Sequence, residues 1–69
     1  MTSVEALELL KQGDRVMMKN DRVGQFYQSY CDDHIYQMTP TGKCCLKVIG
    51  CHTPEQFLKI GDVEFIMVD

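Results

Sequence analysis

Four cysteines and two histidines are the residues of this 69-residue chain that could bind a metal ion. Cys31 and His34 have the spacing of a zinc knuckle, but a structural zinc site normally shows two such pairs. Cys44 and Cys45 are adjacent, and adjacent side chains seldom reach the same ion. The spacing therefore predicts no metal site and no cofactor. We expect the cysteines to be free thiols in a reducing compartment.

Cys51 and His52 are the candidates for a catalytic nucleophile and its base. Neighbouring residues in a strand point to opposite faces of a sheet, so this pair would not act together. The sequence has no G-x-S-x-G motif, no glycine-rich phosphate loop and no dinucleotide fingerprint. We therefore expect no catalytic residues and no enzymatic activity.

Aromatic and basic residues offer another chemistry, because tyrosines can stack on a base and basic loop residues can hold phosphates. Three tyrosines fall in two segments that we expect to be neighbouring strands, and four polar or basic residues lie in or beside predicted turns. The tyrosines could instead pack a helix against the sheet, and the loop residues could simply face solvent. The candidate ligand-binding residues are Lys19, Asn20, Arg22, Tyr27, Tyr30, Tyr36 and Lys43.

Size and charge limit the scaffold that positions these residues. A 7.9 kDa chain with 45% hydrophobic residues predicts one small domain over residues 1–69, which excludes a large enzyme scaffold. Such a small core often needs support from a partner chain. The net charge of −3 argues against a nucleic acid polymer as partner. No membrane-spanning stretch or secretory signal is apparent, so we expect no membrane partner and a cytoplasmic location.

Capping signals mark two helices. Thr2 and Glu5 form a capping box before an apolar stripe, and Gly13 suits the left-handed position after a helix. This pattern predicts a helix over residues 3–12. Residues 53–56, Thr-Pro-Glu-Gln, repeat the signal and predict a short second helix.

Alternating apolar residues predict five strands, over residues 14–19, 23–30, 34–38, 43–49 and 63–68. Turn-forming or strand-breaking residues separate them, at positions 20–21, 31–33, 39–42 and 50–52. Connections of hairpin length imply antiparallel pairing. The predicted fold class is α+β, with an N-terminal helix packed on a small antiparallel sheet of about five strands and a short helix before the last strand.

Residues 5–16, Glu-Ala-Leu-Glu-Leu-Leu-Lys-Gln-Gly-Asp-Arg-Val, resemble the opening of the phage-encoded Thoeris anti-defence 2-like family. Its members typically begin with a short helix, E-A-L-x-x-L-x-x-G, and a strand with V-x-R-x-x-W. Residues 53–58 and 61–66 are similar to the family's closing helix and strand. The chain departs from the family at residues 18–21, Met-Lys-Asn-Asp, where the Arg and Trp are missing, and it contains no Trp.

The resemblance implies a phage counter-defence protein of the host bacterial cytoplasm. Such a protein binds and sequesters a cyclic nucleotide immune signal, of cyclic ADP-ribose type or a cyclic oligonucleotide, without cleaving it. It also implies a homo-oligomer, a dimer or tetramer, with pockets between subunits. Lys19 and Asn20 would follow the family's first strand, Arg22 could replace its guanidinium, and the tyrosines its indole. The alternative is a small inhibitor of a host or defence protein with no small-molecule ligand, whose acidic surface would suit a basic target.

Overall fold

The computed structural model describes residues 1–29, 33–43, 45–61 and 63–68. The elements are α1 (Ser3–Lys11), β1 (Arg15–Met18), β2 (Phe26–Ser29), β3 (Ile35–Thr41), β4 (Cys45–His52), α2 (Pro54–Leu58) and β5 (Phe65–Met67). The strands form one antiparallel sheet in the order β4-β3-β2-β1-β5. The predicted α+β fold is confirmed, including the short helix before the last strand.

Both helices begin at the predicted capping boxes. The Thr2 hydroxyl accepts the Glu5 N–H at 3.3 Å, and the Glu5 carboxylate accepts the Thr2 N–H at 3.1 Å. That backbone hydrogen bond holds the pKa of Glu5 below its ordinary value. Thr53 and Gln56 make the same two bonds without a charge, at 3.2 and 3.0 Å. In the part of the chain described, neither helix is long and apolar enough to cross a membrane.

The helices cover one face of the sheet, called the inner face here. Four strand side chains that are at most 3% exposed form its centre: Val16, Tyr27, Ile35 and Phe65. The buried side of α1 and one residue of α2 pack on them, contributing Ala6, Leu7, Leu10 and Phe57. At the start of α1 the apolar Val4 is exposed, whereas the polar Ser3 is buried. The core therefore lies on one side of the sheet.

The strand predicted from residue 23 begins only at Phe26. The Asp21 carboxylate accepts the backbone N–H groups of Val23, Gly24 and Gln25 at 3.2, 2.6 and 3.0 Å. These groups are therefore committed to a loop and cannot pair with a strand. The predicted start at residue 23 was wrong, because the Asp21 carboxylate accepts the backbone N–H groups that a neighbouring strand would otherwise bind.

The hairpin of β3 and β4 is longer than predicted. The strand β3 continues through Pro40, opposite Leu46, and the turn lies at 42–43 rather than 39–42. Proline fits there because β3 extends past β2 and has one strand neighbour at that point. The predicted break at 50–52 is also wrong, since Gly50 pairs with Gln37 inside β4.

The other face of the sheet, called the outer face here, is covered by neither of the described helices. Phe26 and Met38 lie at its centre and are nevertheless mostly buried by their neighbours. Towards the edges, three apolar side chains are 53%, 49% and 40% exposed: Leu46, Val48 and Ile66. The outer face thus carries exposed apolar side chains and has neither described helix packed on it.

Candidate ligand-binding site

The sheet topology gathers the polar loop residues at one end. The strand β1 ends where β2 and β5 begin, since Met18 pairs with Phe65 and Phe26 lies one step beyond the Val16–Tyr27 pair. The turn between β3 and β4 lies at that same end. We call this region the loop end, made of residues 19–25, 42–43 and 63–64. Its exposed candidate residues are Lys19, Asn20, Arg22 and Lys43.

Backbone contacts hold the loop end in place. Besides its three bonds to the Asp21 carboxylate, the β1–β2 loop donates the Lys19 N–H to the Glu64 carbonyl at 2.8 Å. Gly24 has a φ of +84°, and a Cβ there would lie 3.5 Å from Pro40. The loop is therefore hydrogen-bonded to the segment before β5 and passes close to Pro40 of β3, which limits the positions of its side chains.

Lys19 and Asn20 line one open groove of about 520 Å³, together with Met18, Val63 and Glu64. The Lys19 ammonium lies 3.2 Å from the Glu64 carboxylate, and both side chains are largely exposed. An exposed pair of this kind contributes less than about 1 kcal/mol, so an anion can compete with the carboxylate for the lysine. The groove thus offers an ammonium, an amide and two apolar walls.

Arg22 and Lys43 stand at the loop end but do not line this groove. Within the described ranges, the one ion pair is that of Lys19 with Glu64. The Asp21 carboxylate accepts hydrogen bonds from three backbone N–H groups of its own loop. The Arg22 guanidinium and the Lys43 ammonium therefore carry positive charge at the loop end outside the groove.

Tyr27 and Tyr36 are not brought together. Tyr27 is 3% exposed and packs edge-on against Phe57 and Phe65, with ring centroids 5.4 and 6.0 Å away. Burial raises the pKa of its hydroxyl, and the charge of Asp21 adds to the effect. Its ring offers no face to an external base, so the packing interpretation describes it. Tyr36 lies on the opposite, outer face, and Tyr30 lies outside the described residues.

The cysteines and histidines form no cluster in the described ranges. No group of three or more His, Cys, Asp or Glu side chains there could hold a metal ion. Cys51 and His52 occupy successive positions in β4 and point to opposite faces, as predicted. Cys45 and Cys51 are exposed, and Cys44 lies outside the described residues.

Glu64 is the groove residue that the sequence reasoning missed. It faces Lys19 because β5 pairs with β1, with Met18 opposite Phe65. Extending that register by one residue places Glu64 beside Lys19, so a predicted pairing of the last strand with the first would have found it. Comparison of the chain with protein-family models, with curated proteins and with solved structures finds no match.

Proposed function

We propose that the protein binds a small anionic cyclic nucleotide and sequesters it without cleaving it. In this proposal it acts as a phage counter-defence protein in the host bacterial cytoplasm. The observation that supports the proposal is the loop end, where the topology gathers Lys19, Asn20, Arg22 and Lys43 and two of them share a groove. The family resemblance supplies the class of ligand.

The groove suits such a ligand in size and chemistry. Its volume of about 520 Å³ falls within the range of roughly 300–1,000 Å³ found for small-molecule sites. A phosphate oxygen would displace the Glu64 carboxylate from Lys19 and gain a charge-assisted hydrogen bond. Met18 and Val63 would contact the ribose or base. Sequestration rather than cleavage is proposed because the neighbouring Cys51 and His52 point to opposite faces.

Calorimetry with cyclic ADP-ribose-type and cyclic dinucleotide ligands tests the proposal. We expect one or more of them to bind, with an affinity that falls as salt is added. Heating the complex should then release the ligand with unchanged mass and chromatographic retention. A chemically altered ligand would indicate an enzyme, and the absence of binding by every ligand would overturn the proposal.

Lys19→Ala and Arg22→Ala should each weaken binding, by roughly 10-fold for the loss of one charge-assisted contact. Lys11→Ala is the matched control, because Lys11 is an exposed lysine at the end of α1, next to the start of β1 and away from the loop end. Equal affinity for the wild type and both loop variants would remove the loop end from the site.

A second candidate is an inhibitor that binds a host or defence protein. The exposed apolar side chains of the outer face favour it, since large apolar patches mark interaction surfaces. It predicts no nucleotide binding and a monomer whose outer face is occupied only in complex with a different protein.

A further inference from the structure

An apolar row crosses the outer face from edge to edge. The strand register places Ile66 opposite Met17, Phe26 opposite Met38, and Met38 opposite Val48. Extending the β1–β2 register by one residue places Met17 opposite Phe26 and completes the row. At about 4.8 Å between strands, the row is roughly 19 Å long. Its members in spatial order are Ile66, Met17, Phe26, Met38 and Val48.

The row is symmetric in side-chain type. A central Phe is flanked on each side by a Met and then by a β-branched residue. On a two-fold axis through the centre of the row, each of its side chains faces one of similar type in a second copy. We propose that the outer face is covered by a second copy of this chain, with the two-fold axis parallel to the strands.

This axis places each side chain against one of similar size. Val48, 49% exposed, would face the partner's Ile66, which is 40% exposed, and Met17 would face the partner's Met38. Phe26, 6% exposed beneath Arg15, would lie on the axis. The neighbouring row contains Arg15, Gln28 and Tyr36, so Arg15 would face Tyr36 of the partner subunit. Guanidinium groups stack favourably on aromatic rings, as Arg15 already does on Phe26 at 5.3 Å.

The face is large enough for a stable dimer. The molecule measures 31 × 27 × 19 Å, and the shortest dimension matches one sheet and one helix layer. An elliptical face with the two longer axes covers roughly 650 Å², so two copies bury about 1,300 Å², within the 1,200–2,000 Å² of specific interfaces. Arg15 is the one charged residue among the outer-face positions of the described strands. No carboxylate of the described strands therefore lies in this contact, although each chain has a net charge of −3.

Sedimentation equilibrium of the ligand-free protein over a micromolar dilution series tests the dimer. We expect the wild type to have twice the mass of the 7.9 kDa chain. Val48→Glu should raise the dissociation constant roughly 100-fold, because it buries an unpaired charge. Val48 is 49% exposed in the single chain, so the variant should keep its circular dichroism spectrum. Leu58→Glu is the control, since Leu58 is 39% exposed and belongs to α2 on the other side.

The axis has its own test. Combining Val48→Glu with Ile66→Lys in one chain should restore the dimer, because each glutamate then faces the lysine of the partner. A two-fold axis along the row would place the two glutamates opposite each other, and the added lysine would then not restore the dimer. A monomeric wild type, a dimer insensitive to Val48→Glu, or a failed rescue would overturn the proposal. Lys19→Ala should leave the dimer intact, so this result is separate from nucleotide binding.

Discussion

Phe57 attaches α2 to the rest of the molecule. It is the buried residue of that five-residue helix, is 0% exposed, and lies 5.4 Å from the Tyr27 ring and 5.3 Å from the Phe65 ring. Phe57→Leu keeps an apolar side chain and removes both aromatic contacts. Each such contact contributes about 0.5–1.5 kcal/mol beyond burial, so the expected loss of unfolding free energy is about 1–3 kcal/mol.

That loss is large for a chain of this size. At about 0.05–0.15 kcal/mol per residue, 69 residues have a total stability of roughly 3–10 kcal/mol. The melting temperature of Phe57→Leu should fall by roughly 4–20 °C, measured by circular dichroism at one fixed protein concentration. Leu58→Ala removes the next, 39% exposed side chain of the same helix and should change the unfolding free energy by less than about 1 kcal/mol. Equal melting temperatures for Phe57→Leu and the wild type, or equal losses in both variants, would refute the role of Phe57.

Three further perturbations have a direction set by the structure. Glu5→Gln should be less stable than the wild type at pH 7 because the folded pKa of Glu5 is lowered. Urea unfolding should show this gap in unfolding free energy shrinking as pH falls from the ordinary value of 4.5 through the folded pKa, and a gap that stays constant over that acid range would contradict it. Gly50→Ala should lose about 1 kcal/mol, since the new Cβ would lie 3.2 Å from His52 Nε2 and 3.3 Å from Gln37 Oε1; a stabilised variant would show that these side chains yield. Asp21→Ala should speed amide hydrogen exchange at residues 23–25 and lower stability by about 1 kcal/mol, and unchanged exchange would mean that the carboxylate does not hold the loop.

The helix ends were predictable from the sequence because their determinants are local. Thr2 and Glu5, or Thr53 and Gln56, satisfy each other's backbone groups within four residues, and no distant contact is needed. The alternation along β2 was predictable for the same reason: Phe26 and Tyr27 lie on opposite faces.

The strand ends depend on partners that are distant in sequence. Gly50 and Pro40 are residue types that usually interrupt strands. Here each pairs with a residue of the neighbouring strand, Gly50 with Gln37 and Pro40 with Leu46. The register shift between Gln37 and Met38 absorbs one extra residue of β4, which no local rule could place. Tertiary pairing therefore overrode the local signals in this hairpin.

The sequence was enough to predict where the loop residues of the candidate site lie, but not where its tyrosines lie. Successive antiparallel hairpins bring Lys19, Asn20, Arg22 and Lys43 to one end of the sheet by topology alone. Whether Tyr27 is buried depends on which face of the sheet the helices cover. The alternation of residues in one strand does not reveal that face. The ring that looked available for stacking belongs to the core, where Phe57 and Phe65 contact it.

The two proposals are connected by the direction of the symmetry axis. An axis parallel to the strands leaves both loop ends at the same end of the dimer and places the groove of each chain, at its β1–β5 edge, across from the β3–β4 hairpin of the partner. Each groove would then lie beside the hairpin turn of the partner rather than beside the partner's own groove. Ligand binding and dimerisation would strengthen each other, since each stabilises the same arrangement. A Val48→Glu monomer that retained full affinity would place the whole binding site within one chain, whereas a matching loss of affinity would assign it to both.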